Sequence, residues 1–247
     1  METITGRRNP LIAHLKKLGA SREYRRACGE YICDGIKLLV EALEHNAGIT
    51  AVLTSGDRPE NIPDNVPVFH VPRDLLEYAS PLTNPQEVLF SCKIPEGKDI
   101  QSGGRQIILE NIQDPGNVGT IIRTANALGF EDVILTGSCA DPYNPKTIRA
   151  TMGAVFRQKV TETGIDGIIR IRDIGMRLYG AALGGDCRDI REAEFKNAAV
   201  VIGNEGRGLS DEMLALCDEK IMIPMKPGCE SLNAAVAAAV IMWEMSR

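Results

Sequence analysis

Several common chemistries are missing from this chain. Its three histidines (His14, His45 and His70) accompany seven cysteines (Cys28, Cys33, Cys92, Cys139, Cys187, Cys217 and Cys229), an odd number with no CxxC pair. That excludes a zinc site of the usual spacing and a disulfide framework, and predicts buried free thiols and no metal. No apolar run is long enough to span a bilayer, and METITGRRNPLIAHLKK lacks the charged, apolar, small-residue order of a secretory leader. The expectation is a cytoplasmic protein with no membrane partner. Neither GxGxxG nor GxxxxGK[ST] occurs, so dinucleotide and triphosphate sites of the familiar kinds are absent. GxSxG is also missing, and all three histidines precede residue 71, which weighs against a serine-centred triad.

What remains is a globular composition, 44% hydrophobic and 25% charged, in 247 residues, a length that favours two domains. The net charge of −5 argues against a protein that coats nucleic acid indiscriminately. Within that acidic average, residues 7–26 carry seven Arg or Lys against the single Glu23. Lys16, Lys17, Arg25 and Arg26 are candidate RNA phosphate contacts, and the competing reading is the solvated face of a helix.

Along the chain, residues 9–27 read as helix, with Leu11, Ile12, Leu15 and Leu18 at helical spacing. YICDG, ITAVLTS, VPVFHV and VLFSCKIP then read as strands, with IKLLVEALEHNAG and RDLLEYAS as helices between them. This predicts a small α/β domain over 1–97. EGKDIQSGGR suggests a linker at 98–106, after which strands and helices alternate again to the end. The expected second domain, 107–247, has a mostly parallel sheet with helices on both faces, where ligands gather at strand carboxyl ends. DPYNPKTIRATMGAVF reads as loop-rich.

Three segments of this second part carry candidate chemistry. In ILENIQDPGNVGTIIRTANALGF, Val118, Ile121, Ile122, Ala125 and Leu128 share a helix face, so Arg123 points away from the apolar stripe. The helix opens from a DPGN turn, whose exposed N–H groups favour an anion that Arg123 could also meet. In VIGNEGRGLS, glycines after an apolar strand permit close backbone approach around Glu205. In IPMKPGCESLNAAVAAAV, Ser231 and Asn233 stand at the start of an apolar helix, with Ser231 a cap candidate.

These residues resemble the three motifs of the SpoU/TrmH family of RNA ribose 2′-O-methyltransferases, within the SPOUT superfamily. The first motif is represented by Asn111, Asn117, Gly119 and Arg123, the second by Gly203, Asn204, Glu205 and Gly206, and the third by Ile223, Pro224, Met225, Ser231, Leu232 and Asn233. NPKTIRATMGAVF is similar to the family's intermediate segment, with Thr151 where serine is frequent, and its Arg149 is a further candidate RNA contact. Residues 1–97 look like the family's small substrate-binding module, with Asp34 where glutamate is frequent, a departure that bears on the choice of RNA.

The resemblance implies a C-terminal trefoil knot, bound S-adenosylmethionine, and a homodimer with the site near the subunit interface. It implies cofactor contacts from Thr136, Gly137, Gly203, Asn204, Glu205, Ile223, Met225, Ser231 and Leu232. The implied reaction centre is Arg123, Asn117, Glu205, Ser231 and Asn233. The implied substrate is RNA, ribosomal RNA ahead of tRNA. A non-catalytic RNA-binding module and a base-nitrogen methyltransferase stand as alternatives.

Overall fold

The structure, a computed structural model, describes residues 1–97, 103–184, 186–226, 228 and 231–247. It divides into two compact units, residues 1–96 with 141–157, and residues 97–140 with 158–247.

The first unit begins with β1 (Glu2–Thr3) and α1 (Pro10–Ala20), followed by α2 (Arg22–Cys28), β2 (Glu30–Asp34), α3 (Ile36–Glu44), β3 (Ile49–Thr54), β4 (Val68–His70), α4 (Arg73–Ala79) and β5 (Val88–Lys93). The helix expected over 9–27 is two helices. Ser21 adopts an extended backbone, ends α1, and accepts the Tyr24 N–H at the start of α2. The strands form one mixed sheet, β1-β4-β3-β5-β2, in which β5 runs antiparallel to β2 and β3. Ile12, Leu15 and Leu18 of α1 are buried on one face with Leu53 and Leu89, while Leu39 and Ala42 of α3 join Val52 and Phe90 on the other. Each such aliphatic burial contributes roughly 1.5–3 kcal/mol.

The second unit starts with β6 (Arg105–Glu110), α5 (Pro115–Ala127) and β7 (Asp132–Thr136). Of the linker expected at 98–106, residues 98–102 lie outside the described residues, and Arg105 already belongs to β6. The chain then returns to the first unit for residues 141–157, which contain α6 (Pro145–Thr151). That corrects two expectations. The segment is not merely loop, because Asn144 caps α6 through the Lys146 N–H and Pro145 opens it. It also belongs to the first unit: Ile148 and Val155 are buried among Tyr31 and Phe90, and the Tyr143 ring lies 4.9 Å from that of Tyr31.

The second unit continues with β8 (Val160–Glu162), α7 (Ile165–Asp173), β9 (Arg177–Ala181), β10 (Arg188–Asp189), β11 (Ala198–Ile202), α8 (Asp211–Leu216), β12 (Glu219–Met222) and α9 (Ala234–Met245). Its sheet, β10-β12-β9-β11-β6-β7-β8, is parallel throughout. The register aligns Val201, Ile108 and Ile134 across three strands, and these pack on Ile168 and Ile171 of α7 and Met213 of α8. The alternate residues Ile107, Leu109, Val133 and Val200 are equally buried on the opposite side. There α9 packs on β11 and on α5. Burial on both faces explains why these strands read as continuous apolar runs.

Candidate active site

All strands of the parallel sheet point their carboxyl ends the same way, and a cavity of about 540 Å³ opens where three neighbours, β12, β9 and β11, end. β9 delivers Ala181–Leu183, β11 delivers Ile202 and Gly203, β12 delivers Met222 and Ile223, and Ala234, Ala237 and Ile241 of α9 complete the wall. The volume suits a single small ligand, and the wall is apolar apart from the 203–208 turn and Ser231.

The turn after β11 is closed on itself. Asn204 and Gly208 exchange backbone hydrogen bonds of 3.1 and 2.8 Å, and Asn204 Oδ1 accepts the Gly206 and Arg207 N–H groups. A Cβ at Gly203 would stand 2.4 Å from the Gly208 carbonyl carbon, so glycine here is a steric requirement. Asn204 Nδ2 donates to the Asn111 carbonyl, fastening the turn to the end of β6. Asn111 itself sits at φ +58°, a conformation that asparagine tolerates, and its Oδ1 accepts the Ser138 N–H. The Asn204–Glu205 pair therefore divides its labour. Asparagine shapes the loop, and the carboxylate lines the cavity.

Glu205 is joined to both other motifs by a chain of side-chain hydrogen bonds. Asn233 caps α9, its Oδ1 accepting the Ala235 and Val236 N–H groups, which leaves its Nδ2 to donate 3.1 Å to Asn117 Oδ1. Asn117 Nδ2 in turn donates 2.5 Å to Glu205 Oε1. The helix cap thus fixes the direction of every amide in the chain, and Glu205 keeps Oε2 for a further donor. Asn233, not Ser231, is the cap of α9. Behind this relay, Glu110 accepts both the N–H and the hydroxyl of Ser210, tying β6 to the start of α8.

The expected site residues divide accordingly. Gly203, Asn204, Glu205, Ile223, Met225, Ser231 and Leu232 line one cavity, and Asn117 and Asn233 are bonded to its carboxylate. Thr136 and Gly137 do not line it: Thr136 ends β7, which lies beyond β6 from β11, and Gly137 follows it and packs against Asn111. Arg123 is exposed on α5, outside the cavity lining, with no hydrogen-bond or ion-pair partner among the described residues. The N-terminus of α5 does not await an anion, because the Asp114 carboxylate caps it through the Asn117 N–H. Pro227, Cys229 and Glu230, between the two halves of the third motif, lie outside the described residues.

Sequence reasoning missed Ala181–Leu183 and Arg207. The first were findable, since LYGAAL reads as a strand of a parallel sheet and such ends gather ligands. Arg207 lines the cavity with an exposed side chain that has no partner among the described residues, and nothing in the spacing of the motif marks it.

In the first unit, Lys16, Lys17, Arg26 and Arg149 are exposed. Arg25 is not: it is 3% exposed, its Nε and Nη2 donate to Asp141 Oδ2 at 2.9 and 2.5 Å, and its Nη1 donates to the Leu18 carbonyl. A guanidinium so engaged is a structural tie and is unavailable to phosphate. Asp34 is also committed, to the Ser80 hydroxyl and the Gln86 N–H, so its departure from glutamate is absorbed by the 80–86 loop.

Fold and site define an α/β protein that takes a small ligand at the carboxyl ends of parallel strands, beside a preorganised carboxylate relay. Residues 104–243 match the SpoU rRNA Methylase family, and the chain belongs to that family. Residues 9–89 match the MRM3-like substrate binding domain. The chain is 29% identical over 250 residues to the 23S rRNA (guanosine(2553)-2'-O)-methyltransferase RlmP of Bacillus subtilis, covering 99% of each. It is 28% identical to the 23S rRNA (uridine(2479)-2'-O)-methyltransferase of Streptomyces viridochromogenes, covering 97% of this chain and 90% of the other. The AdoMet-bound rRNA methyltransferase from Sinorhizobium meliloti superposes with a TM-score of 0.89 at 28% identity, over 99% of this chain and 97% of that one.

Proposed function

We propose that this protein is an S-adenosylmethionine-dependent methyltransferase that modifies a ribose 2′-hydroxyl in ribosomal RNA. The observation that carries the reading is the hydrogen-bonded chain Asn233–Asn117–Glu205, which unites all three motifs at one cavity. Relatives that match nearly end to end are named as rRNA 2′-O-methyltransferases, and a structural neighbour was solved with AdoMet bound. The cavity suits that cofactor. Its volume fits one small ligand, apolar side chains offer a face for an adenine ring, and Gly203 keeps the strand-end backbone accessible. Glu205 supplies negative charge in the same cavity, complementary to a sulfonium.

When bound, S-adenosylmethionine supplies a methyl group already activated for displacement. The protein's task is then to place and polarise the attacking hydroxyl. Orientation of that kind is worth roughly 7–11 kcal/mol in well-aligned cases. Arg123 serves as a fixed positive charge, because a delocalised guanidinium stays protonated in proteins and is no base. It holds the neighbouring phosphate and stabilises alkoxide charge as the hydroxyl proton passes to solvent water.

Arg123 lies outside the cavity lining of its own chain, which fits a homodimer with the site near the subunit interface. α9 offers a surface for one: Val236, Val240 and Trp243 are 49%, 38% and 61% exposed at helical spacing. A trefoil knot in the second unit and a cytoplasmic location complete the reading. No helix among the described residues is long and apolar enough to cross a membrane.

The deciding experiment is transfer of labelled methyl from S-adenosylmethionine to rRNA and tRNA fractions, both transcribed unmodified, with nucleoside mass spectrometry of the product. A 2′-O-methylnucleoside in the rRNA fraction is expected, with Arg123→Ala lowering turnover by about 10²–10³ while cofactor affinity stays within twofold. Label confined to tRNA, or on a base nitrogen, would refute the assignment, and near-normal turnover in Arg123→Ala would remove that residue from its role.

A further inference from the structure

In the first unit, two cations share one aromatic ring. The guanidinium carbon of Arg7 lies 4.7 Å from the ring centroid of Tyr78, and the Lys16 ammonium lies 3.3 Å from the same centroid. The two like charges are therefore no farther apart than those distances laid end to end. Both side chains are exposed, and neither has a hydrogen bond or ion pair among the described residues. One residue on, the Lys17 ammonium sits 5.4 Å from the ring centroid of Tyr24, also without a carboxylate among the described residues. Cation–π contact restrains long, mobile side chains and attracts each charge to the ring. It leaves the net positive charge of the pair uncancelled, and like charges this close repel.

Restrained donors with an uncompensated charge are what an oxyanion completes, and a phosphate offers several acceptor oxygens in a compact group. We propose that Arg7, Lys16 and Tyr78 form a binding site for an RNA phosphodiester. Tyr78 holds the two cations in place, since its ring is already covered by them. The site rests on the reading of the protein as an RNA methyltransferase and deepens it, by naming where the first unit grips the RNA backbone. Arg7 opens the basic run of residues 7–26 but lies outside the residues that match the substrate-binding domain, and Tyr78 carries no charge, so only the structure joins the three.

The test is the affinity of the full-length protein for an unmodified ribosomal RNA transcript, measured by fluorescence anisotropy across a salt series. Arg7→Ala with Lys16→Ala should weaken binding at least tenfold at about 0.1 M salt and flatten the plot of log affinity against log salt by about 1.4–1.8, the release of two counterions. Melting temperature and S-adenosylmethionine affinity should not move. The charge-retaining pair Arg7→Lys with Lys16→Arg should restore most of the affinity, and Tyr78→Leu should lose more than Tyr78→Phe. Unchanged affinity and salt slope in the double alanine variant would overturn the site, as would a loss that merely follows a falling melting temperature. Wild-type protein that shows this salt-dependent binding yet methylates no RNA would defeat the proposed activity and leave the phosphate site standing. Normal methylation with an indifferent double variant would defeat the site alone.

Discussion

In the second unit several basic side chains are paired where they stand. Arg177 and Arg188 share Glu219, Lys220 meets Asp186, Lys159 meets the buried Asp132, and Arg191 pairs with Asp189. Arg123 and Arg207, like Arg170, Lys196 and Lys226, have no such partner among the described residues, and these two lie on the helix and the turn that carry Asn117 and Glu205. The first unit holds such pairs too, Arg73 with Glu77 and Arg157 with Glu41, but its basic run is arranged differently. Arg7, Lys16 and Lys17 lean on tyrosine rings at its surface, while Arg25, only eight residues beyond Lys17, is buried against Asp141. The contrast teaches that a cation's neighbours decide its task, and that density of basic residues along the chain does not. A buried cation paired with a carboxylate, as Arg25 is with Asp141, ties the fold, and an exposed one without a partner is free to meet an anion from outside.

The largest expected effect breaks this contrast at its buried end. Arg25→Ala strands the Asp141 carboxylate in a site 8% exposed and should destabilise the first unit by about 3–5 kcal/mol in chemical denaturation. If Arg25→Ala with Asp141→Ala together recover much of that loss, the pair is a structural tie. A loss below about 1 kcal/mol in the single variant, with weakened RNA binding, would return Arg25 to the contact surface.

A smaller effect probes the second unit's rigid turn. Gly203→Ala pushes a methyl group into the Gly208 backbone and should cost about 1–3 kcal/mol, with loss of S-adenosylmethionine affinity by calorimetry. Retained affinity would mean that the turn does not shape the cofactor cavity. The smallest effect on stability is expected for Asn233→Ala, which removes the α9 cap at about 1 kcal/mol and cuts the relay to Glu205. Its turnover should fall more steeply than its stability. Turnover that tracks only the folded fraction would reduce Asn233 to a cap.

Much of this was legible in the order of residues. Hydrophobic alternation and continuous apolar runs mark the strands, because burial on one face or two leaves its period in the chain. The three motifs bring their glycines, amides and carboxylate in recognisable spacing, since loops at strand ends hold chemistry that side-chain type alone can announce. What escaped depended on partners distant in sequence. Residues 141–157 read as a loop-rich part of the second domain because their helix is short and its apolar side chains pack on strands more than 50 residues earlier. Arg25 and Lys16 look alike in a basic run, and only a carboxylate 116 residues further on separates them. Thr136 and Gly137 end a strand as Ala181 does, but sheet order, which pairs β9 and not β7 with β11, gives the cavity to Ala181. The sequence by itself determined the period of the longer elements and the inventory of chemical groups. Tertiary structure decided which groups meet and which charges find a counter-charge, because strand order and long-range pairing arise from packing between segments that carry no local mark of each other.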